Sequence, residues 1–315
     1  MMQNESIRKI MLMSTVLVFA IALVIIFSFS VDSKNDHVPD AAGQIYVSQD
    51  VLKIIPPGIP QSIEFAGENA PLRLQHVREG FDRELLVNTY WHSSTILMLK
   101  RANRWFPVIE PILEQQYIPD DFKYLALIES GFTRAVSPKG AAGFWQFMDK
   151  TAKELDLEVN DFVDERYHVE LATIAACRYF RESFAEYRNW TLVAAAYNAG
   201  KRRITESLEK QKVNNFYDLF LNEETSRYPY RILALKAIYE NQQQYGFYLE
   251  PGDLYPQVKV KIIEVKEPIP DLVEFAQKHH VTYRTLKEYN PWLRSDKLPN
   301  NSGKVYRIAI PEITR

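Results

Sequence analysis

The feature that most constrains this chain is the helical spacing of its apolar residues between Leu72 and Gln243. Three later segments are each predicted to form one helix, Arg166 to Tyr187, Trp190 to Ala199 and Glu223 to Gln243, because their apolar residues recur at that period. No stretch in this region alternates strongly enough for a strand. We therefore predict a mainly α fold, with a helical domain over residues 72–250.

The pattern changes beyond Pro251-Gly252. Val258 to Ile262 alternates like a half-exposed strand, and Val305 to Pro311 is predicted to be a closing strand. Between them, Asp271 to Lys278 and a second segment capped by Thr282 are predicted to be short helices. The sequence thus predicts a small C-terminal α+β module of βααβ order over residues 256–312.

The N-terminal segment predicts export. Ile10 to Val31 contains 22 residues without a charge, which is long enough to cross a bilayer, and Arg8 and Lys9 precede it. Residues 1–31 are therefore a transmembrane anchor or, because Ser28-Phe29-Ser30 is a small-x-small pattern, a cleavable signal peptide. Residues 32–71 are predicted to be a linker, because the stretch from Asp32 to about Pro60 is polar and contains prolines.

One carboxylate stands at the end of an apolar helical run. The run starts after Pro119-Asp120-Asp121, and Gly131 is a plausible C-cap, which places Glu129 in the last turn. The negative helix end and apolar neighbours both favour a raised pKa for Glu129. A carboxyl group kept protonated near neutral pH can protonate a leaving oxygen. The alternative is that Glu129 is a solvated helix-end residue.

A loop of small and aromatic residues follows, from Ser137 to Met148. Its small residues let a ligand approach the backbone, and Gln146 offers an amide donor and acceptor. Phe144 or Trp145 can stack on a sugar face, although each by itself is more typical of a core residue.

Three motifs in this region resemble, in order and spacing, those of the soluble-lytic-transglycosylase family, which shares the goose-type lysozyme fold. They are Glu129-Ser130, Gly143-Phe144-Trp145-Gln146-Phe147-Met148 and Ala196-Tyr197-Asn198-Ala199-Gly200. The resemblance covers residues 107–245 and is strongest to the membrane-bound D-type branch of the family. The C-terminal module resembles a LysM module, although Ile269-Pro270-Asp271-Leu272 replaces the usual Gly-Asp-Thr-Leu turn.

The resemblance implies that Glu129 is the single catalytic acid and base. It implies that the hydroxyl of Tyr197 points at this carboxyl group, that Asn198 supports the turn, and that Glu224 is a further acid of the cleft. The implied substrate-binding residues are Ser137, Gln146, Met148, Tyr197, Asn198 and Glu224. Two alternatives stay open: Ser137 is only a turn residue before Pro138, and Asn198 only caps a helix.

The implied reaction is cleavage of the β-1,4 bond between N-acetylmuramic acid and N-acetylglucosamine, with a 1,6-anhydromuramic end as product and no cofactor or metal. The alternatives are a goose-type hydrolase that uses water and a non-catalytic wall-binding protein.

The expected partners are peptidoglycan strands and the inner membrane, on its periplasmic side. Net charge is −2, so no nucleic-acid partner is expected. We expect a monomer. The single cysteine, Cys177, excludes an intrachain disulfide and a cysteine-based zinc site.

Overall fold

The structure is a computed structural model of the 315-residue chain, and it describes residues 54–301 and 303–312. The predicted N-terminal anchor or signal peptide lies outside these residues. Within the described ranges, no helix combines the length and the apolar character that crossing a membrane requires.

Helices dominate the described part of the chain up to Tyr245, as predicted. They are α1 (Gln75–Tyr90), α2 (His92–Gln115), α3 (Phe122–Ser130), α4 (Asp149–Glu154), α5 (Val169–Tyr187), α6 (Trp190–Ala199), α7 (Lys201–Gln211) and α8 (Glu223–Glu240). A short hairpin precedes them, and a βααβ module follows: β1 (Glu64–Phe65), β2 (Glu68–Asn69), β3 (Val260–Val265), α9 (Leu272–Lys278), α10 (Tyr283–Tyr289) and β4 (Tyr306–Pro311).

Helix α3 lies in the centre of the helical domain because it is apolar nearly all round. Phe122, Leu125 and Ala126 are fully buried, and helices α2 and α8 both pack against α3. The ring centroid of Phe122 lies 4.3 Å from that of Phe180 in α5. A helix buried in this way holds the position of the residues at its C-terminal end, which include Glu129.

Part of the segment predicted as a linker is folded. Phe65 in the β1–β2 hairpin is buried, and its ring centroid lies 5.0 Å from that of Phe122. The carboxylate of Asp121, at the start of α3, accepts hydrogen bonds at 2.7 Å from the backbone N–H of Ala66 and from Lys236. The sequence did not indicate this packing because one aromatic residue in a polar segment produces no periodic pattern.

The predicted βααβ order of the C-terminal module is confirmed. Strands β3 and β4 pair antiparallel, from Val260 opposite Pro311 to Val265 opposite Tyr306. Asp271 and Thr282 cap the two helices by accepting backbone N–H bonds. The module and the helical domain belong to one compact unit that begins at Ile55. The mainly α fold with a small C-terminal α+β module is therefore as predicted.

Candidate active site

The C-terminal end of α3 places Glu129 at the surface of the core. Gly131 has φ of 54° and its N–H bonds to the carbonyl of Leu127 at 2.8 Å, which confirms the predicted left-handed cap. Glu129 is half-buried, whereas every other residue of α3 is buried. This helix therefore presents a single side chain to solvent at its end, and that side chain is a carboxylate.

The surroundings of Glu129 favour its protonated form. Burial, the largest influence, raises the pKa of Glu129 above its usual value, because protein surrounds most of the carboxyl group. The hydrogen bond from Tyr228 and the charge of Arg231 act against this increase, and the charge of Glu224 adds to it. The net direction is upward, so the carboxyl group stays protonated to a higher pH than an ordinary glutamate.

Helix α8 carries the three side chains that shift the pKa of Glu129. Glu224, Tyr228 and Arg231 are spaced four and three residues apart, which puts them on one face of the helix. The buried hydroxyl of Tyr228 donates to Oε1 of Glu129 at 2.5 Å. The guanidinium of Arg231 donates to the carbonyl of Ile128 at 3.2 Å, so its positive charge lies beside the negative end of α3.

Sequence reasoning assigned the hydroxyl contact to the wrong tyrosine. The hydroxyl of Tyr197 donates to the backbone carbonyl of Trp145 at 2.5 Å, whereas Tyr228 bonds to the carboxyl group of Glu129. Tyr197 packs at the end of α6 against Phe147 and Phe180, with ring centroids 6.0 and 5.3 Å away. Burial and then the charge of Glu129 raise the pKa of Tyr197, so the two residues remain neighbours. The spacing of Tyr228 from Glu224 and Arg231 was the signal that sequence reasoning missed.

The polar side chains of the loop from Ser137 to Met148 are largely engaged within it. The Ser137 hydroxyl accepts the backbone N–H of Ala141 at 3.0 Å, so Ser137 does form the turn that the alternative interpretation predicted. The side-chain amide of Gln146 donates to the carbonyls of Gly143 and Ala135, at 2.8 and 3.1 Å. This leaves the Gln146 carbonyl oxygen as the atom that can meet a ligand. Met148 is 42% exposed.

Trp145 and Phe144 belong to the core, which excludes them as stacking platforms. Trp145 is fully buried and its indole N–H donates to the hydroxyl of Thr173 at 3.0 Å. Phe144 is also buried, and its ring lies 5.0 Å from that of Trp105. The loop is thus anchored to the interior by its aromatic residues, while Gln146 is half-buried and Met148 is exposed.

The loop is also tied to its surroundings through its backbone. The Ser130 hydroxyl, next to Glu129, donates to the carbonyl of Phe144 at 3.0 Å. Gly143 has φ of +79°, and a Cβ atom there would lie 1.8 Å from the carbonyl oxygen of Arg166. Only glycine permits this approach. The Arg166 guanidinium donates to the carbonyls of Gly140 and Phe147, at 3.0 and 3.2 Å.

Two known domain families match parts of this chain. The "Transglycosylase SLT domain" matches residues 107–220, and the "Soluble lytic transglycosylase C-terminal LysM-like domain" matches residues 261–314. The chain contains an SLT transglycosylase domain. A LysM-like domain follows it.

The chain is also homologous to curated proteins. Two proteins named membrane-bound lytic murein transglycosylase D, from Escherichia coli strains K12 and O6:H1, are each 26% identical to it over 242 residues. The match covers 75% of this chain and 52% of each relative, so the chain spans about half the length of the curated relatives it matches.

Two solved structures were also matched. An inactive mutant of the lytic transglycosylase Slt from Pseudomonas aeruginosa is 17% identical, with a TM-score of 0.37 over 57% of this chain and 35% of that chain. The 70 kDa soluble lytic transglycosylase from Escherichia coli is 18% identical, with a TM-score of 0.39 over 57% of this chain and 32% of that chain.

The SLT match contains Glu129, the loop and Tyr197, but it ends before α8. Glu224, Tyr228 and Arg231 therefore join the site through the fold and not through the matched segment.

Asn198 is half-buried in the last turn of α6, and Glu224 is exposed in the first turn of α8. In the part of the chain that the structure describes, no group of histidine, cysteine or acidic residues is arranged to hold a metal ion.

Proposed function

We propose that this protein is a peptidoglycan lytic transglycosylase. It would cleave the β-1,4 bond between N-acetylmuramic acid and N-acetylglucosamine and leave a 1,6-anhydromuramic end. The observation that carries the proposal is the partly exposed Glu129 within an SLT domain. Burial raises the pKa of its carboxyl group, which also accepts a hydrogen bond from Tyr228 at 2.5 Å. The names of the homologous murein transglycosylases support the same substrate.

Glu129 would act twice in this reaction. As an acid it protonates the glycosidic oxygen, and the carboxylate that results is stabilised by the Tyr228 hydroxyl and by the positive charge of Arg231. As a base it then removes the proton from the C6 hydroxyl of the muramic acid, whose oxygen attacks C1 of the same sugar. Because the nucleophile belongs to the substrate, correct orientation replaces an external nucleophile, and no water is consumed.

The loop and the ends of α6 and α8 would bind the glycan around this acid. The proposed substrate-binding residues remain those of the sequence analysis: Ser137, Gln146, Met148, Tyr197, Asn198 and Glu224. Within the loop, the Gln146 carbonyl oxygen and the exposed Met148 side chain would contact a sugar. We further propose that the enzyme works on the periplasmic side of the cytoplasmic membrane, since its relatives are named membrane-bound and its own residues 10–31 are apolar.

A water-using hydrolase is the second candidate. Most such enzymes need a second carboxylate, and Glu224 is close enough to Glu129 for its charge to raise the pKa of Glu129. The two functions differ in their products, so the products decide between them.

The test is a digest of purified peptidoglycan with the full-length protein, read by mass spectrometry of the released muropeptides. Products one water lighter than hydrolytic products, and resistant to borohydride, are expected. Reducible ends would establish a hydrolase, and the absence of products would leave the wall-binding alternative. Glu129→Gln should lower the rate at least about 100-fold. Glu114→Gln, at an exposed position in α2, is the matched control.

A further inference from the structure

The C-terminal module is docked onto a particular loop of the helical domain, residues 158–168, here called the relay loop. Val163 pairs with Leu293 of the module in an isolated antiparallel bridge. The backbone N–H of Asp164 donates to the carbonyl of Trp292, and the N–H of Arg294 donates to the carbonyl of Phe162, both at 2.8 Å. The relay loop is thus held to the module by main-chain bonds, as one strand is held to its neighbour.

Apolar side chains complete this contact. Val163 and Tyr167 of the relay loop lie in the same hydrophobic cluster as Trp292 and Leu293, and all four are buried. Ala142, from the loop beside Glu129, is buried in that cluster as well. The helical domain therefore depends on the module to cover side chains of both loops.

An ionic network adds to the contact. The ammonium of Lys304 lies 2.6 Å from Oε1 of Glu165 and 3.0 Å from Oε2 of Glu158. The hydroxyl of Tyr306 donates to the Glu158 carboxylate at 2.9 Å. The side chain of Glu165 is only 4% exposed, so its charge needs a partner, and the module supplies that partner.

The opposite side of the relay loop supports the loop from Ser137 to Met148. Asp164 accepts two bonds from the Arg166 guanidinium, at 2.7 and 2.9 Å, and so fixes its orientation. That guanidinium in turn bonds the carbonyls of Gly140 and Phe147. A continuous series of contacts therefore runs from Lys304 and Trp292, through the relay loop, to the residues on either side of Gln146.

We propose that the C-terminal module positions the loop from Ser137 to Met148 through the relay loop, with Arg166 and Lys304 as positioning residues. This inference rests on the proposed function for its kinetic consequence: cleavage of short, soluble glycan fragments depends on contacts that the module makes. A module that serves only to attach the enzyme to insoluble wall would leave such fragments unaffected.

The first test uses Lys304→Met in the full-length protein. Lys278→Met is the matched control, because Lys278 carries the same charge in the same module at the exposed end of α9. Hydrogen exchange of peptides that span residues 137–148, measured without substrate, should become faster in Lys304→Met and stay unchanged in Lys278→Met. With soluble fragments, KM should rise about 2- to 30-fold while kcat changes less, because Glu129, Tyr228 and Arg231 lie on α3 and α8.

The second test acts on the relay loop itself. Arg166→Met should raise KM at least as much as Lys304→Met, and Arg166→Lys should restore part of the loss, since a lysine can still pair with Asp164. The double variant with Lys304→Met should show less than the sum of the two effects, because both residues act through the same contacts. If Lys304→Met fails to fold, Tyr306→Phe replaces it, since that change removes only the hydroxyl bonded to Glu158.

The outcomes separate this inference from the proposed function. Unchanged exchange of residues 137–148 in Lys304→Met would overturn the inference whether or not the protein cleaves glycan. Equal changes of KM in Lys304→Met and Lys278→Met would also overturn it. Faster exchange in a protein that releases no products would support the inference and refute the proposed function.

Discussion

Replacing Gly143 by alanine should disable the site without removing any side chain from it. The new Cβ would lie 1.8 Å from the carbonyl oxygen of Arg166 and 2.6 Å from its carbonyl carbon, and neither backbone atom can rotate away. Restoring even a 3.0 Å contact requires a displacement of about 1.2 Å. A misplacement of about 1 Å can cost about 100-fold in rate, or about 2.7 kcal/mol of transition-state stabilisation.

The assay is kcat/KM on soluble peptidoglycan fragments, with Gly140→Ala as the matched control. Gly140 lies in the same loop with φ of +85°, but a Cβ atom there meets nothing within 4 Å. Gly140→Ala should lose about 1–2 kcal/mol of stability from left-handed strain, measured by denaturant unfolding. Gly143→Ala should lose more, because the overlap with the Arg166 backbone adds to the same strain. The rate should fall about 100-fold for Gly143→Ala and far less for Gly140→Ala. Equal rates in the two variants would refute the claim that contact with Arg166 positions the loop.

Three further predictions follow from the charges around the site. Tyr228→Phe should move the alkaline limb of kcat/KM to higher pH. The hydrogen bond from Tyr228 lowers the pKa of Glu129, so its removal raises that pKa, and cleavage starts from the protonated acid. Glu224→Gln should move the same limb to lower pH, since the charge of Glu224 raises that pKa; limbs that stay in place would contradict both. Arg227→Met should destabilise the fold by about 3 kcal/mol, because Glu84 is 1% exposed and would lose its 2.6 Å ion pair. Denaturant unfolding measures this loss, and a stability equal to wild type would contradict it.

The position of Glu129 could be predicted because its causes are local. An apolar run, a glycine after it and a carboxylate between them define the end of α3 within ten residues, and the structure shows that end where predicted. The partner of Glu129 could not be predicted in this way. Tyr228 is 99 positions away, and the sequence resemblance pointed to Tyr197 instead. The Tyr197 hydroxyl bonds to the Trp145 carbonyl, and its ring packs against Phe147 and Phe180. The hydrogen bond to Glu129 is therefore made by Tyr228.

The sequence by itself determined most elements of this protein: helices α3, α5, α6 and α8, the βααβ module, the left-handed cap at Gly131 and the motifs of an SLT domain. Helix α7 was not predicted. Periodicity and capping depend on residues a few positions apart, so they are visible in short segments. Only the tertiary structure decided that the module docks on the relay loop, since Lys304 and Glu165 are 139 positions apart. The module and the relay loop are held together by the burial of Val163 and by the ion pair of the almost fully buried Glu165 carboxylate. Neither contact produces a periodic pattern in the sequence.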